Sequence, residues 1–217
     1  MDNLHSLLSS AGLNGSASHS PHLVGELIES TTVDFVAQAA ELDAAPPLGA
    51  FVEVGTDDGL TVYGVVAHVE TAGIDPGARP IMRGHGDVRD GLIYAENPDL
   101  LHVLRTTFRS LVVGYGERGR VHQVLPARPP RLHYSVWTAP ALAVRDFTDS
   151  GFDYLTTLLG APDAATDELV AANVRLTALA RGEPQTFTRR AGRELAQLLR
   201  SDYARLSSIL RRIAVGP

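Results

Sequence analysis

The sequence predicts an α+β protein: a small closed antiparallel β-barrel with one inserted helix, followed by an α-helical C-terminal domain. Three observations predict it. Short runs rich in β-branched and aromatic residues, separated by turn residues, fill positions 23–73. A helix-start signal stands at Asn97-Pro98-Asp99. Apolar residues recur at helical spacing beyond position 140.

Residues 1–21 open with a short apolar patch (Leu4, Leu7, Leu8) and continue as the Gly/Ser/His-rich run GLNGSASHSP, a flexible leader. The barrel domain is expected over 22–135. Its first strands are LVGELIES, FVAQAAEL, AFVEVGT and TVYGVVAHVET, with APPLG and DDG as punctuation. Within Thr61–Val69, the side chains of Tyr63, Val65, Ala67 and Val69 alternate onto one face. Gly64 in their midst marks a bulge or a tight bend. In Asp75-Pro76-Gly77, proline presets φ and glycine takes the positive φ of a turn.

Asn97 as N-cap, Pro98 at the first helical position and Asp99 in the first turn begin the inserted helix. Leu100, Leu101, Leu104 and Phe108 carry its apolar spacing. SLVVGYGERGRVHQVLP returns to strand, turn, strand. PARPPRLHYSVWTAP, residues 126–140, holds four prolines and reads as an extended connector. The helical domain covers 140–217. Its helices are expected at 152–159, at 165–181 (ended by Gly182 and Pro184) and, as one long helix, at 186–214.

The chain has 217 residues, 44% hydrophobic and 20% charged, within the range of folded globular proteins. No run of about 18 apolar residues is present, so no membrane span is expected. The N-terminus shows neither a basic nor an apolar signal region, and a cytoplasmic location is expected. Cysteine is absent, which excludes disulfides, thiol catalysis and Cys-ligated metals, while leaving the redox compartment open. Lysine is absent as well: all 19 basic residues are arginine. That excludes a P-loop lysine, a Schiff base and a pyridoxal anchor.

The motifs that carry chemistry are weak or missing. Gly114-x-Gly116-x-x-Gly119 follows a strand, but a second strand rather than a helix follows it, so it reads as a Gly-rich hairpin. No two histidines sit at helical i, i+4 spacing with a glutamate. His85 lies near Asp87 and Asp90 in a segment read as a polar loop. No G-x-S-x-G elbow appears, and no pair of carboxylates is singled out for acid–base work. No catalytic, cofactor or metal residue is assigned.

Charge is laid out unevenly behind the net value of -6. Residues 1–78 hold 11 acids and no arginine; residues 186–213 hold 7 arginines against 2 acids. On one continuous helix at roughly 100° per residue, Arg189, Arg193, Arg200 and Arg211 fall within about 40° of arc, opposite the apolar face. Such a ridge suits a DNA backbone or an acidic partner, because guanidinium groups grip phosphate and carboxylate bidentately. It equally suits the solvated face of a bundle helix.

Residues 23–84, in the segments VGELIESTTVDFVAQ, LGAFVEV, LTVYGVVAHVET and IDPGARP, resemble the HAS-barrel. That is the small barrel at the N-terminus of HerA-type DNA translocases and of rotary ATP synthase subunits. The IDPG-R-P segment and the helix Arg190–Leu206 (RAGRELAQLLRSDYARL) resemble free-standing bacterial proteins of this kind. The resemblance implies a crown that helps to hold a ring ATPase and carries partner-docking surfaces. The chain departs from HerA in lacking a Walker lysine and the ATPase core.

The function expected on this basis is a non-catalytic adaptor of a HerA-like hexameric ATPase, with a NurA-type nuclease as a further partner, in DNA end processing and repair. DNA backbone contact would run through Arg189, Arg193, Arg200 and Arg211. The alternatives are an oligomeric scaffold unrelated to DNA, and an enzyme whose site is assembled from dispersed residues.

Overall fold

Residues 62–67 run without a polar side chain because the fold buries them on two sides. The structure is a computed structural model, and it describes residues 21–75, 77, 80–162 and 164–214. The leader expected over 1–21 lies, apart from Pro21, outside the described residues. The strands are β1 (Leu23–Ser30), β2 (Asp34–Ala39), β3 (Phe51–Gly55), β4 (Leu60–Gly73), β5 (Leu104–Glu117), β6 (Arg120–His122) and β7 (Ser135–Thr138). They hydrogen-bond in the order β2-β1-β7-β3-β4-β5-β6, and β2 also pairs with β5. That extra pairing closes six antiparallel strands into a barrel and leaves β6 as an added strand on β5. The closed barrel and the α+β class expected from the sequence are both present.

Two apolar layers share the strands. Val62 and Val66 of β4 face the barrel interior with Leu27, Phe35, Val52, Phe108 and Val136. Tyr63, Val65 and Ala67 face outward into a second core built with the helices. The expected face is real, but the opposite face is buried too. Val69, expected on that same face, is 40% exposed, because β4 has by then left the barrel. The pairing register slips between Tyr63 and Gly64, the bulge that Gly64 announces. A Cβ at Gly64 would stand 2.8 Å from Cζ of Phe35.

Gly114-x-Gly116-x-x-Gly119 forms the β5–β6 hairpin. Glu117 pairs with Arg120, and the two loop residues, Arg118 and Gly119, have φ of 51° and 76°. Positive φ at both positions is the turn whose twist matches the strands it joins.

Three expectations are corrected. The inserted helix does not run to Phe108: α1 (Gly91–Glu96) and α2 (Leu100–Val103) are short, and β5 begins at Leu104. Phe108 is fully buried inside the barrel, and Thr106 and Thr107 favour the pleated state. Asn97 closes α1 instead of opening a helix, its amide donating to the Ile93 carbonyl at 2.9 Å. The proline-rich connector contains β7, which bridges β1 and β3 and without which the barrel stays open.

The third correction concerns the long C-terminal helix. The helices are α3 (Ala141–Asp149), α4 (Tyr154–Leu159), α5 (Thr166–Ala180), α6 (Pro184–Leu198) and α7 (Tyr203–Ala214). The chain turns at 199–202, where the Asp202 carboxylate accepts from the Arg205 amide at 3.0 Å and so caps α7. The turn lets Leu195 of α6 and Leu206, Ile209 and Ile213 of α7 join one core with α5. Burial of these faces outweighs the single bond series of an unbroken helix.

Candidate docking surfaces

β4 and β5 are each 14 residues long, more than the barrel uses. β3 pairs with β4 only at Thr61–Val65, and β2 with β5 only at Thr107–Leu111. Beyond those limits the two strands stay paired only with each other, Thr71–Gly73 against Leu104–Thr106. They form a two-stranded arm that ends in α1 and α2. Its base is braced by the Thr71 and Thr106 hydroxyls, 2.8 Å apart, and by Asp43, which accepts from Thr71 at 2.9 Å. Its end is tied by Arg83, which donates to Asn97 at 3.1 Å and pairs with Asp99 at 3.2 Å.

Neither α1 nor α2 buries a residue. Met82 is 92% exposed and Ile81 79%, and Ile74, Leu92, Leu101 and Val103 are exposed with them. Scattered single apolar residues on a surface need no explanation, but exposed apolar residues recurring along the one segment between β4 and β5 make it a candidate docking surface. Sequence reasoning missed this arm. An apolar residue in a loop carries no local sign of whether anything will cover it.

Arg189 and Arg193 lie on α6, Arg200 in the turn and Arg211 on α7, so the single ridge is divided between three elements. All four are exposed, and none forms an ion pair among the described residues. Their neighbours differ. Arg181 pairs with Asp149 at 2.9 Å and with Glu183 at 3.6 Å, Arg190 with Asp149 at 3.3 Å, and Arg205 with Asp167 at 2.8 Å. Arg212 pairs with Glu168. Among the described residues the four arginines singled out in the sequence therefore carry no ion pair of the fold, although Arg189 donates to the Gln185 carbonyl at 3.3 Å.

On the barrel, burial raises the Asp34 carboxyl, but the Thr31 hydroxyl and the Arg109 guanidinium outweigh it and hold it below its usual range. Among the described residues Glu53 on β3 has no such partner, and burial pushes its carboxyl up to about 7. Tyr63, its cross-strand neighbour, is raised by burial and by the charges of Glu53 and Asp146.

A cavity of about 80 Å³ lies between the barrel end and α5, lined by Val24, Pro46, Phe51, Val144, Leu176 and Thr177 among others. Among the described residues no charged side chain lines it. His85 rests against the Arg83 carbonyl at 3.2 Å. Among the described residues, no group of three or more His, Asp or Glu is placed to hold a metal, and no helix is long and apolar enough to cross a membrane. Neither the models of known protein families nor the curated proteins match this chain.

Proposed function

We propose that this chain is a non-catalytic adaptor that docks on another protein through the β4–β5 arm. The carrying observation is the arm itself: two paired strands that leave the barrel and present Ile74, Ile81 and Met82 on the link after β4, and Leu92 and Leu101 on short helices with no core of their own, to solvent. Burying such side chains on association is favourable by about 25 cal/mol per Å² of apolar surface before the entropic cost of binding.

The partner we propose is a HerA-like hexameric DNA translocase, with a NurA-type nuclease as a further component, in DNA end processing and repair. This part of the reading rests on the resemblance of residues 23–84 to the HAS-barrel, an argument by analogy with which a closed six-stranded antiparallel barrel is compatible. The unpaired Arg189, Arg193, Arg200 and Arg211 supply a DNA backbone contact in the same assembly. The test is co-elution of the purified chain with the translocase and the nuclease of the same organism. The wild-type chain is expected to co-elute, and Ile81→Ser with Met82→Ser to lose the complex while folding normally. No co-elution with either protein overturns the reading.

A further inference from the structure

The arm has two kinds of unused binding capacity: exposed apolar side chains and a row of backbone groups. Every backbone N–H and C=O needs a partner, and a strand has one set on each edge. The Ile74 amide donates to the Val103 carbonyl at 2.9 Å, and pairing continues without a slip from Gly73–Leu104 back to His68–Arg109. Hydrogen-bonded pairs alternate along an antiparallel ladder. The amides and carbonyls of Ala72, Glu70 and His68 therefore face β5, and those of Gly73, Thr71 and Val69 point the other way.

On that other side β3 has already ended at its pairing with Val65, and Val66 takes the last bonds, to Gly49 and Ala50. Among the described residues no backbone group meets Val69, Thr71 or Gly73 there. Folded proteins blunt such edges with proline, lysine, a bulge or a covering loop. Between His68 and Gly73 there is no proline, no lysine and no register slip.

Resting on the docking reading above, we propose that this edge accepts a strand from the partner: an extended segment in which apolar residues alternate with arginine or lysine. Main-chain bonds to Val69, Thr71 and Gly73 hold such a segment in register, and alternate side chains reach the exposed Val69. The charge of the occupant follows from the edge. Glu70 is exposed on it, Asp43 sits against Thr71, and Asp75 lies just beyond; across the ladder stand Arg105 and Arg109, the latter paired with Asp34 at 2.7 Å. No arginine occurs in residues 1–78, so the wider surface of β1–β4 repels an acidic segment.

The test titrates the full chain at low salt with a nine-residue peptide alternating valine and arginine, and separately with its valine–glutamate counterpart, while amide hydrogen exchange is followed. The arginine peptide is expected to slow exchange at Val69, Thr71 and Gly73 by about tenfold or more, and the glutamate peptide to leave it unchanged. Val69→Pro is expected to abolish the effect with the fold intact, because the lost amide points away from β5. No protection at about 1 mM arginine peptide, or equal protection by both peptides, overturns the proposal. So does protection in the chain alone that rises with its concentration, which assigns the edge to a second copy. The docking reading fails separately. If the peptide protects the edge but the translocase does not co-elute, the edge stands and the named partner falls. If the translocase co-elutes equally with wild type and Val69→Pro while the peptide does not protect, strand addition falls and docking stands.

Discussion

The Asn173 side-chain amide donates a 2.9 Å hydrogen bond to the Gly49 carbonyl, fastening α5 to the β2–β3 connection. Gly49 in turn donates to the Val66 carbonyl of β4 at 2.8 Å. The approach is too close for any other residue. Gly49 has φ of +85°, and a Cβ there would lie 2.5 Å from the Asn173 backbone nitrogen. Gly49→Ala is expected to lower the unfolding free energy by about 3 kcal/mol or more, through strain and displacement of α5. Asn173→Ala should cost about 1–3 kcal/mol, by leaving a buried carbonyl unpaired. Urea unfolding of both variants and of the double variant checks this, and the combined loss should fall short of the sum.

Arg181 makes the helical layer sensitive to a second kind of substitution. Its side chain is 3% exposed, donates to the Arg145 carbonyl at 3.1 Å and to Thr148 at 2.7 Å, and lies 5.2 Å from the centre of the Phe187 ring. It links the end of α5 to α3 and α6. Arg181→Ala is expected to cost about 3–5 kcal/mol, and Arg181→Lys to recover little, since an ammonium cannot span these acceptors or stack on the ring. Thermal unfolding of the two variants decides.

Glu53 sets a pH dependence of unusual sign. Burial holds its carboxyl at about 7 in the folded chain, against 4.5 for the free group. Between those values the folded state binds more protons than the unfolded state. The contribution of Glu53 is therefore greatest below pH 4.5 and is lost as pH rises to about 7. With solvent screening the effect should be roughly 1 kcal/mol, or about 2–4 °C in Tm. Glu53→Gln is expected to raise the Tm at pH 8 by that amount and to flatten the profile between pH 5 and pH 8, as read by calorimetry across about 4 pH values.

The unpaired arginines should separate binding from stability. Replacing Arg189, Arg193, Arg200 and Arg211 by alanine is expected to change stability by no more than about 0.5 kcal/mol per site. Arg205→Ala, which removes the contacts to Asp167, Thr166 and the Leu159 carbonyl, should cost about 2 kcal/mol. If the four touch DNA phosphates, the log–log salt slope of wild-type binding should flatten by about one for each contact removed. Mobility shifts at two or more salt concentrations measure it.

The features legible in the sequence are those whose cause lies within a few residues. The face shared by Tyr63, Val65 and Ala67, the bulge at Gly64, the Gly119 turn and the stop at Gly182 (φ 67°) all follow from local period or local backbone freedom. The break between α6 and α7 was half legible: Asp202 is a cap residue, but the apolar period runs almost unbroken across it.

By itself the sequence determined that a mainly β region with a helical insertion precedes a helical one, that the chain lacks thiol and lysine chemistry, and that its acids and arginines lie in different parts. Tertiary structure alone decided that β7 would close the barrel, that Phe108 would sit in a strand, and that the apolar residues of 74–103 would stand in solvent. The physical reason is that strand pairing and burial join positions far apart in the chain, as β2 meets β5 and Gly49 meets Asn173. Local composition states only what a segment can do, and its partners decide what it does.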